Sequence, residues 1–193
     1  MKIIGISGTN GAGKDTVSDM LAKRHNFFIA SATDMLAEGL REKGWPVDRE
    51  HKSQLSSEWR RQYVMGAVVD RGLELYEPVK DQYSGFAVGS LRHPGEADRI
   101  HQLGGVVIWV DADPEVRYAR VTGGPARGNK SAEDNVTYEQ FLAQQEAEMH
   151  HSGDKATLSI ADVKDRADVF VENNGTDIAA FMNQVEQALG LAV

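Results

Sequence analysis

Cysteine is missing from the 193 residues. Its absence excludes a disulfide framework, a thiolate zinc site and a cysteine nucleophile, and it fits a reducing cytoplasm. Long apolar runs are missing too, since none reaches the roughly 18 residues needed to cross a bilayer. A first strand that begins at residue 2 leaves no room for a signal peptide, so the chain reads as cytoplasmic. Positive charge is short: 21 Lys and Arg face 29 Asp and Glu, for a net charge of −8. Such a chain has no general field that attracts nucleic acid or an anionic membrane, and neither is expected as a partner. An anionic substrate would have to be held by local clusters of Arg and Lys. There is no internal repeat, low-complexity tract or separating linker, so residues 1–193 read as one domain.

What is present is an alternation of two periodicities. Residues 2–7 (KIIGIS) and 106–110 (VVIWV) are apolar runs bounded by glycine or acid, the pattern of strands buried on both faces. Residues 27–30, 86–89 and 167–172 read as further strands. Helical patterns cover 14–24, 34–43, 50–75, 94–103, 114–121, 138–150 and 177–189. Asp113-Pro114 supplies an N-cap followed by proline at the first helical position. Strand and helix in turn predict an α/β fold: a parallel sheet with helices on both faces, joined by right-handed crossovers.

Gly8-Thr9-Asn10-Gly11-Ala12-Gly13-Lys14 fits G-x-x-x-x-G-K, after a buried strand and before a helix. The residue types follow from the chemistry. Backbone N–H groups must converge on phosphate oxygens, and glycine lets the chain curl that tightly. The positive end of the next helix points at the same place. Lys14 adds a compact charge on the β- and γ-phosphates. The next position departs from the common motif, because Asp15 stands where Ser or Thr usually supplies a hydroxyl to Mg²⁺ and Thr16 follows one residue later. Three roles are open to Asp15: holding Mg²⁺ through water, pointing to a basic partner, or favouring the helix dipole as a first-turn acid.

The loop GTNGAGKDT resembles that of the nucleoside monophosphate kinases, and some deoxynucleoside monophosphate kinases carry the same GKDT ending. Ser31-Ala32-Thr33-Asp34-Met35-Leu36 looks like the segment that opens the acceptor-binding helices of adenylate kinases. Val88-Gly89-Ser90-Leu91-Arg92 is similar to their third strand and its arginine, and the stretch from Asp113 to Arg120 to the helix that leads to their lid. DVFVENNGT, ending at Thr176, resembles the last strand and adenine-side loop also seen in dephospho-CoA kinases. The resemblance implies a P-loop NTPase of three α/β/α layers, with a five-stranded parallel sheet of order 2-3-1-4-5. It implies an acceptor-binding helical insertion over about 33–75 and a short lid over about 122–135. The activity it implies is phosphoryl transfer from ATP, with Mg²⁺, to a nucleoside or deoxynucleoside monophosphate. A dephospho-CoA-like or phosphomevalonate-like acceptor, or a regulatory nucleotide-binding protein, are the alternatives, and the assembly is expected to be a monomer or homodimer.

On the donor side the resemblance places the loop from Gly8 to Thr16 on the phosphates, Asn174, Gly175 and Thr176 beside the base, and Asp15 and Thr16 near the metal. It gives catalytic roles to Lys14, Arg92, Arg120 and Arg127 and acceptor contacts to Asp34 and Arg92, while Arg41 and Arg60 are expected at the acceptor as substitutes for a family arginine and Trp59, beside Arg60, as a wall of its pocket. Arginine suits the task because its planar, permanently charged fork neutralises charge on a moving phosphoryl group. Two departures stand out. Ala37 replaces the family's arginine on the acceptor helix, with Arg41, Arg60 and Arg61 as substitutes, and Gly89-Ser90 replaces the acid of the third strand.

Overall fold

The computed structural model describes residues 2–123, 136–150 and 153–191. Five parallel strands form one sheet in the order β2-β3-β1-β4-β5: β1 (Lys2–Gly8), β2 (Phe27–Ser31), β3 (Gly85–Gly89), β4 (Val106–Asp111) and β5 (Val169–Glu172). This is the expected α/β architecture and strand order. Ile3 of β1 pairs with Phe86 of β3, and Ser7 with Trp109 of β4. All five strands run the same way, so their carboxyl ends share one edge, where open α/β sheets bind ligands.

The apolar residues of β1 are divided between two cores by the strand's period of two. Ile4 and Ile6 face a cluster with Val17 and Leu21 of α1 (Lys14–His25) and Phe181 and Val185 of α9 (Ile178–Ala188). Ile3 faces the opposite cluster. That one draws on Ala32 and Met35 of α2 (Ala32–Lys43), Val68 and Val69 of α4 (Ala67–Tyr76) and Ile100 of α5 (Pro94–Gln102). Each such fully buried aliphatic side chain contributes about 1.5–3 kcal/mol over an exposed one.

The insertion after β2 has a small core of its own. Leu36 and Leu40 of α2 meet Leu55 of α3 (Arg49–Gln62), with Trp45 and Trp59 packed against them. The largely helical stretch expected over 50–75 is two helices. α3 ends at Gln62, and α4 starts after Gly66, whose hydrogen lies where a Cβ would stand 2.7 Å from the Cβ of Arg99. A 3₁₀ turn (Glu77–Gln82) and the short α8 (Ile160–Lys164) were not expected. The remaining helices are α6 (Pro114–Gly123) and α7 (Tyr138–Met149). Among the described residues no helix is long and apolar enough to cross a membrane.

Candidate functional site: the phosphate loop and the adjoining cleft

The loop after β1 owes its shape to glycine, to two distant anchors and to a lysine of its own. Gly8 has φ 142°, and a Cβ there would sit 1.9 Å from the carbonyl oxygen of Val110, so β1 and β4 can approach only with glycine at this point. Gly13 caps α1 in the left-handed region with φ 111°, and no side chain caps its first turn. The N–H groups of that turn are therefore directed to the concave side of the loop. Thr9 donates from Oγ1 to Asp111 Oδ1 (2.6 Å), and the Asn173 amide donates to Ala12 O (2.8 Å). Lys14 Nζ donates back to Gly8 O (3.0 Å) and Thr9 O (2.6 Å), which folds the ammonium across the loop. Burial, together with the nearby Arg92 cation, lowers Lys14 to about 7, while the Asp15 and Glu148 carboxylates oppose the shift.

The side of the loop where the donor is expected is built from β4, α6 and the turn after β5. Asp111 also accepts from Ala112 N (2.9 Å) and Trp109 Nε1 (3.2 Å), so it acts as a fixed post at the end of β4. Arg117 is buried. Its Nε donates to Ala112 O (2.7 Å), its Nη1 reaches Gln145 of α7, and its guanidinium lies 5.5 Å from the Phe141 ring centre. Arg120 donates from Nη2 to Gly175 O (2.9 Å), and Asn174 Oδ1 accepts from Asp113 N (2.7 Å). Arg120 Nη1 is buried and has no hydrogen-bond partner among the described residues. An orphaned guanidinium donor beside a phosphate loop is what an anion would satisfy. Thr176 is exposed in the same turn.

On the other side of the loop lies an open cleft of about 790 Å³. Asn10, Thr33, Arg49, Lys52, Ser90 and Arg92 are among its walls, and Glu148 comes from α7. Glu148 Oε1 accepts from Arg49 Nε (2.7 Å) and Arg92 Nη1 (2.8 Å). Burial pushes its carboxyl up, but the two guanidinium groups outweigh that and hold it below the usual range. Ser90, with φ 65°, turns the chain sharply after β3, and Ser7 Oγ donates to Leu91 O (2.7 Å) at the same corner. Glu96 Oε2 accepts from the backbone N–H of Arg92 (2.8 Å), which fixes the start of that arginine.

The structure gathers some of the expected acceptor residues and disperses others. Arg92 is in the cleft. Arg60 is not: it is buried, paired with Glu96 at 2.7 Å and bonded to Ala156 O at 2.9 Å, a structural ion pair. Trp59 belongs to the core between α2 and α3, and Arg71 stacks over its ring at 5.6 Å. Arg41 is exposed and pairs with Glu38, and Arg61 pairs with Asp154. Asp34 is exposed in the first turn of α2, where its N–H donates to Ser31 Oγ (3.2 Å), and it does not line the cleft. Arg127 and residues 124–135 of the expected lid lie outside the described residues. Sequence reasoning missed Arg49, Glu148 and Asp111. Only Asp111 had a visible signal, an acid at the carboxyl end of the clearest apolar strand.

Among the described residues no group of three or more His, Asp or Glu could hold an ion alone. Magnesium in phosphate sites asks for less, namely one or two protein oxygens beside phosphate oxygens and water. Asp15 (exposed) and Thr16 (half-buried) in the first turn of α1 fit that donor set.

Comparison with known proteins agrees with the cradle and strand order. Residues 4–142 match the AAA_18 family of AAA domains. The chain belongs to that family. This AAA_18 protein is also 23% identical over 187 residues to the UPF0200 protein MMP1282 of Methanococcus maripaludis, covering 96% of this chain and 94% of that one. Its fold is similar to a shikimate kinase from Bacteroides thetaiotaomicron, with TM-score 0.62 and 13% identity over 98% and 99% of the two chains. It is similar as well to TT1252 from Thermus thermophilus, with TM-score 0.56 and 22% identity over 97% of each. A shikimate kinase from Acinetobacter baumannii in complex with shikimate matches with TM-score 0.54 and 16% identity, over 97% of this chain and 92% of that one. At such identities the likeness is one of fold: the P-loop NTPase fold that kinases use.

Proposed function

We propose that this AAA_18 protein transfers the γ-phosphoryl group of ATP to a small phosphate-bearing acceptor, a nucleoside or deoxynucleoside monophosphate. The observation that carries the reading is the placement of Lys14, in a glycine cradle, directly beside a cleft walled by Arg49 and Arg92. Donor phosphates in the cradle and an acceptor anion on those arginines would face each other across Asn10. Phosphoryl transfer asks mainly for in-line placement and for cations around the moving group. Lys14 would leave the carbonyls of Gly8 and Thr9 for the β- and γ-oxygens. Arg120, through its unpartnered Nη1, would take a donor phosphate oxygen, while Asn174, Gly175 and Thr176 border the base. Asp15 and Thr16 would hold Mg²⁺, which supplies charge neutralisation at the phosphates when bound. Arg127 belongs to the same proposal as a cation closing over the donor.

A second reading keeps the chemistry and changes the acceptor. No Phe, Tyr or Trp lines the cleft among the described residues, and its walls are rich in Ser, Thr, Arg and Lys. That lining favours a small polar acceptor over a nucleobase, which usually gains from an apolar or aromatic slot. One panel separates the readings. The protein is incubated with ATP and Mg²⁺ against ribo- and deoxynucleoside monophosphates, dephospho-CoA, phosphomevalonate and shikimate, and ADP is followed. ADP that depends on a monophosphate supports the first reading, and ADP that depends on another acceptor supports the second. Slow hydrolysis independent of any acceptor, with the nucleotide retained, would refute the kinase and favour a regulatory protein.

A further inference from the structure

Glu148 is in an unfavourable place by local rules. It lies in the last turn of α7, where the helix dipole favours cations and repels a carboxylate. α7 gains little from packing, because among its residues only Phe141 is buried. The helix is attached instead through polar contacts one turn apart: Gln145 with Arg117 on the donor side, and Glu148 with Arg49 and Arg92 on the acceptor side. One oxygen, Oε1, receives both guanidinium groups, the arrangement a phosphate oxygen takes between two arginines. The Glu148 side chain is 13% exposed, while those of Arg49 and Arg92 keep 34% and 32% of their surface. Glu148 also lines the small pocket beside Thr9 and Asn10 of the phosphate loop as well as the large cleft.

We propose that Glu148 is a built-in stand-in for the acceptor's anion: its carboxylate holds the Arg49–Arg92 pair in place, and a phosphate dianion binds by exchanging with it. The inference rests on the proposed kinase reading and deepens it by naming how the acceptor subsite selects. A dianion offers two charges to two guanidinium groups and displaces the single charge of Glu148. A monocarboxylate offers no gain over the residue already there. Exchange keeps Arg49 and Arg92 from repelling each other before the acceptor arrives, and it makes release of the α7 end part of acceptor binding. Glu148 is thus a specificity-determining residue.

The test is equilibrium binding of inorganic phosphate, and separately of acetate, by calorimetry with the loop filled by Mg-ADP. Glu148→Gln keeps an oxygen acceptor for the arginines and removes the charge. Phosphate should bind it roughly tenfold or more tighter than wild type, acetate should become detectable, and Arg49→Gln in the same background should cancel the gain. Unchanged or weaker phosphate binding by folded Glu148→Gln would overturn the exchange and leave Glu148 a structural clamp. In the wild-type chain, the Glu148 carboxyl carbon resonance should move to the solvent position at saturating phosphate. A resonance that stays put overturns the proposal even if the variant fails to fold. Should Mg-ADP not bind, the kinase reading fails at that step. The phosphate titration on the bare chain, with the Arg49→Gln control, still decides the exchange.

Discussion

Raising the pH in a nucleotide titration isolates one group, Lys14. Its ammonium is lowered to about 7 first by burial and then by Arg92. A polyphosphate in the cradle favours the charged form, so binding should draw the Lys14 proton back. Below about pH 7 the amine is already charged and affinity should be flat. Above it, each pH unit takes away up to tenfold in apparent affinity, the equivalent of about 1.36 kcal/mol. Between pH 7 and pH 9 the loss should approach a hundredfold, with close to one proton taken up per nucleotide at the upper end. Calorimetry in buffers of different ionisation enthalpy measures both quantities. The effect on the fold has the opposite sign. A lysine lowered in the folded state binds fewer protons there than in the unfolded chain, so its contribution to stability rises from about pH 7 towards the ordinary lysine range. Lys14→Arg should flatten the affinity profile, because guanidinium stays charged throughout. An affinity of the wild-type protein that does not change from about pH 6 to pH 9, with no proton uptake, would refute the enclosed ammonium and its role on phosphate.

Two substitutions probe the frame around it. Gly13→Ala places a Cβ 2.5 Å from Asn173 Nδ2 at φ 111°, so it should lower stability by about 1–3 kcal/mol and abolish nucleotide binding. Gly44→Ala is the control, since φ is 69° there with nothing nearby, and it should leave binding intact. Arg60→Ala strands Glu96, whose side chain is 2% exposed. It should cost about 3–5 kcal/mol in thermal or urea unfolding, and a loss under about 1 kcal/mol would show that the pair is not a structural support.

The phosphate loop and the strands were legible because their determinants are local, whereas the sheet order was implied by the family resemblance. Gly8, Gly13 and Lys14 are set by what the chain must do within a few residues, and each strand announces itself by its own apolar run. The cleft beside the loop was legible only at Arg92, because its pairs are formed between distant segments. Arg49 meets a carboxylate 99 positions away, and Arg60 one 36 positions away. Nothing within α3 tells which arginine faces the cleft and which is buried. Arg49 opens the helix after Asp48, and Arg60 stands in its last turn between Trp59 and Arg61. Arg60 is claimed by Glu96, and that glutamate is available only because His93 caps α5 and brings it to the corner after β3. Trp59 was expected to line the acceptor pocket because it stands beside Arg60. Gly39 opposite it, with a Cβ position 2.9 Å from its ring, marks a close helix crossing instead.

The Asn173 amide has a consequence for how the molecule is assembled. It reaches across 161 positions to hold Ala12 O, the crown of the phosphate loop. A chain still being synthesised can pair β1, β3 and β4 long before β5 is made, yet the rim of the loop lacks its brace until residue 173 has arrived and docked. Bracing of the loop is thus a late event on the ribosome, and the nucleotide capture proposed for it would have to wait for that brace.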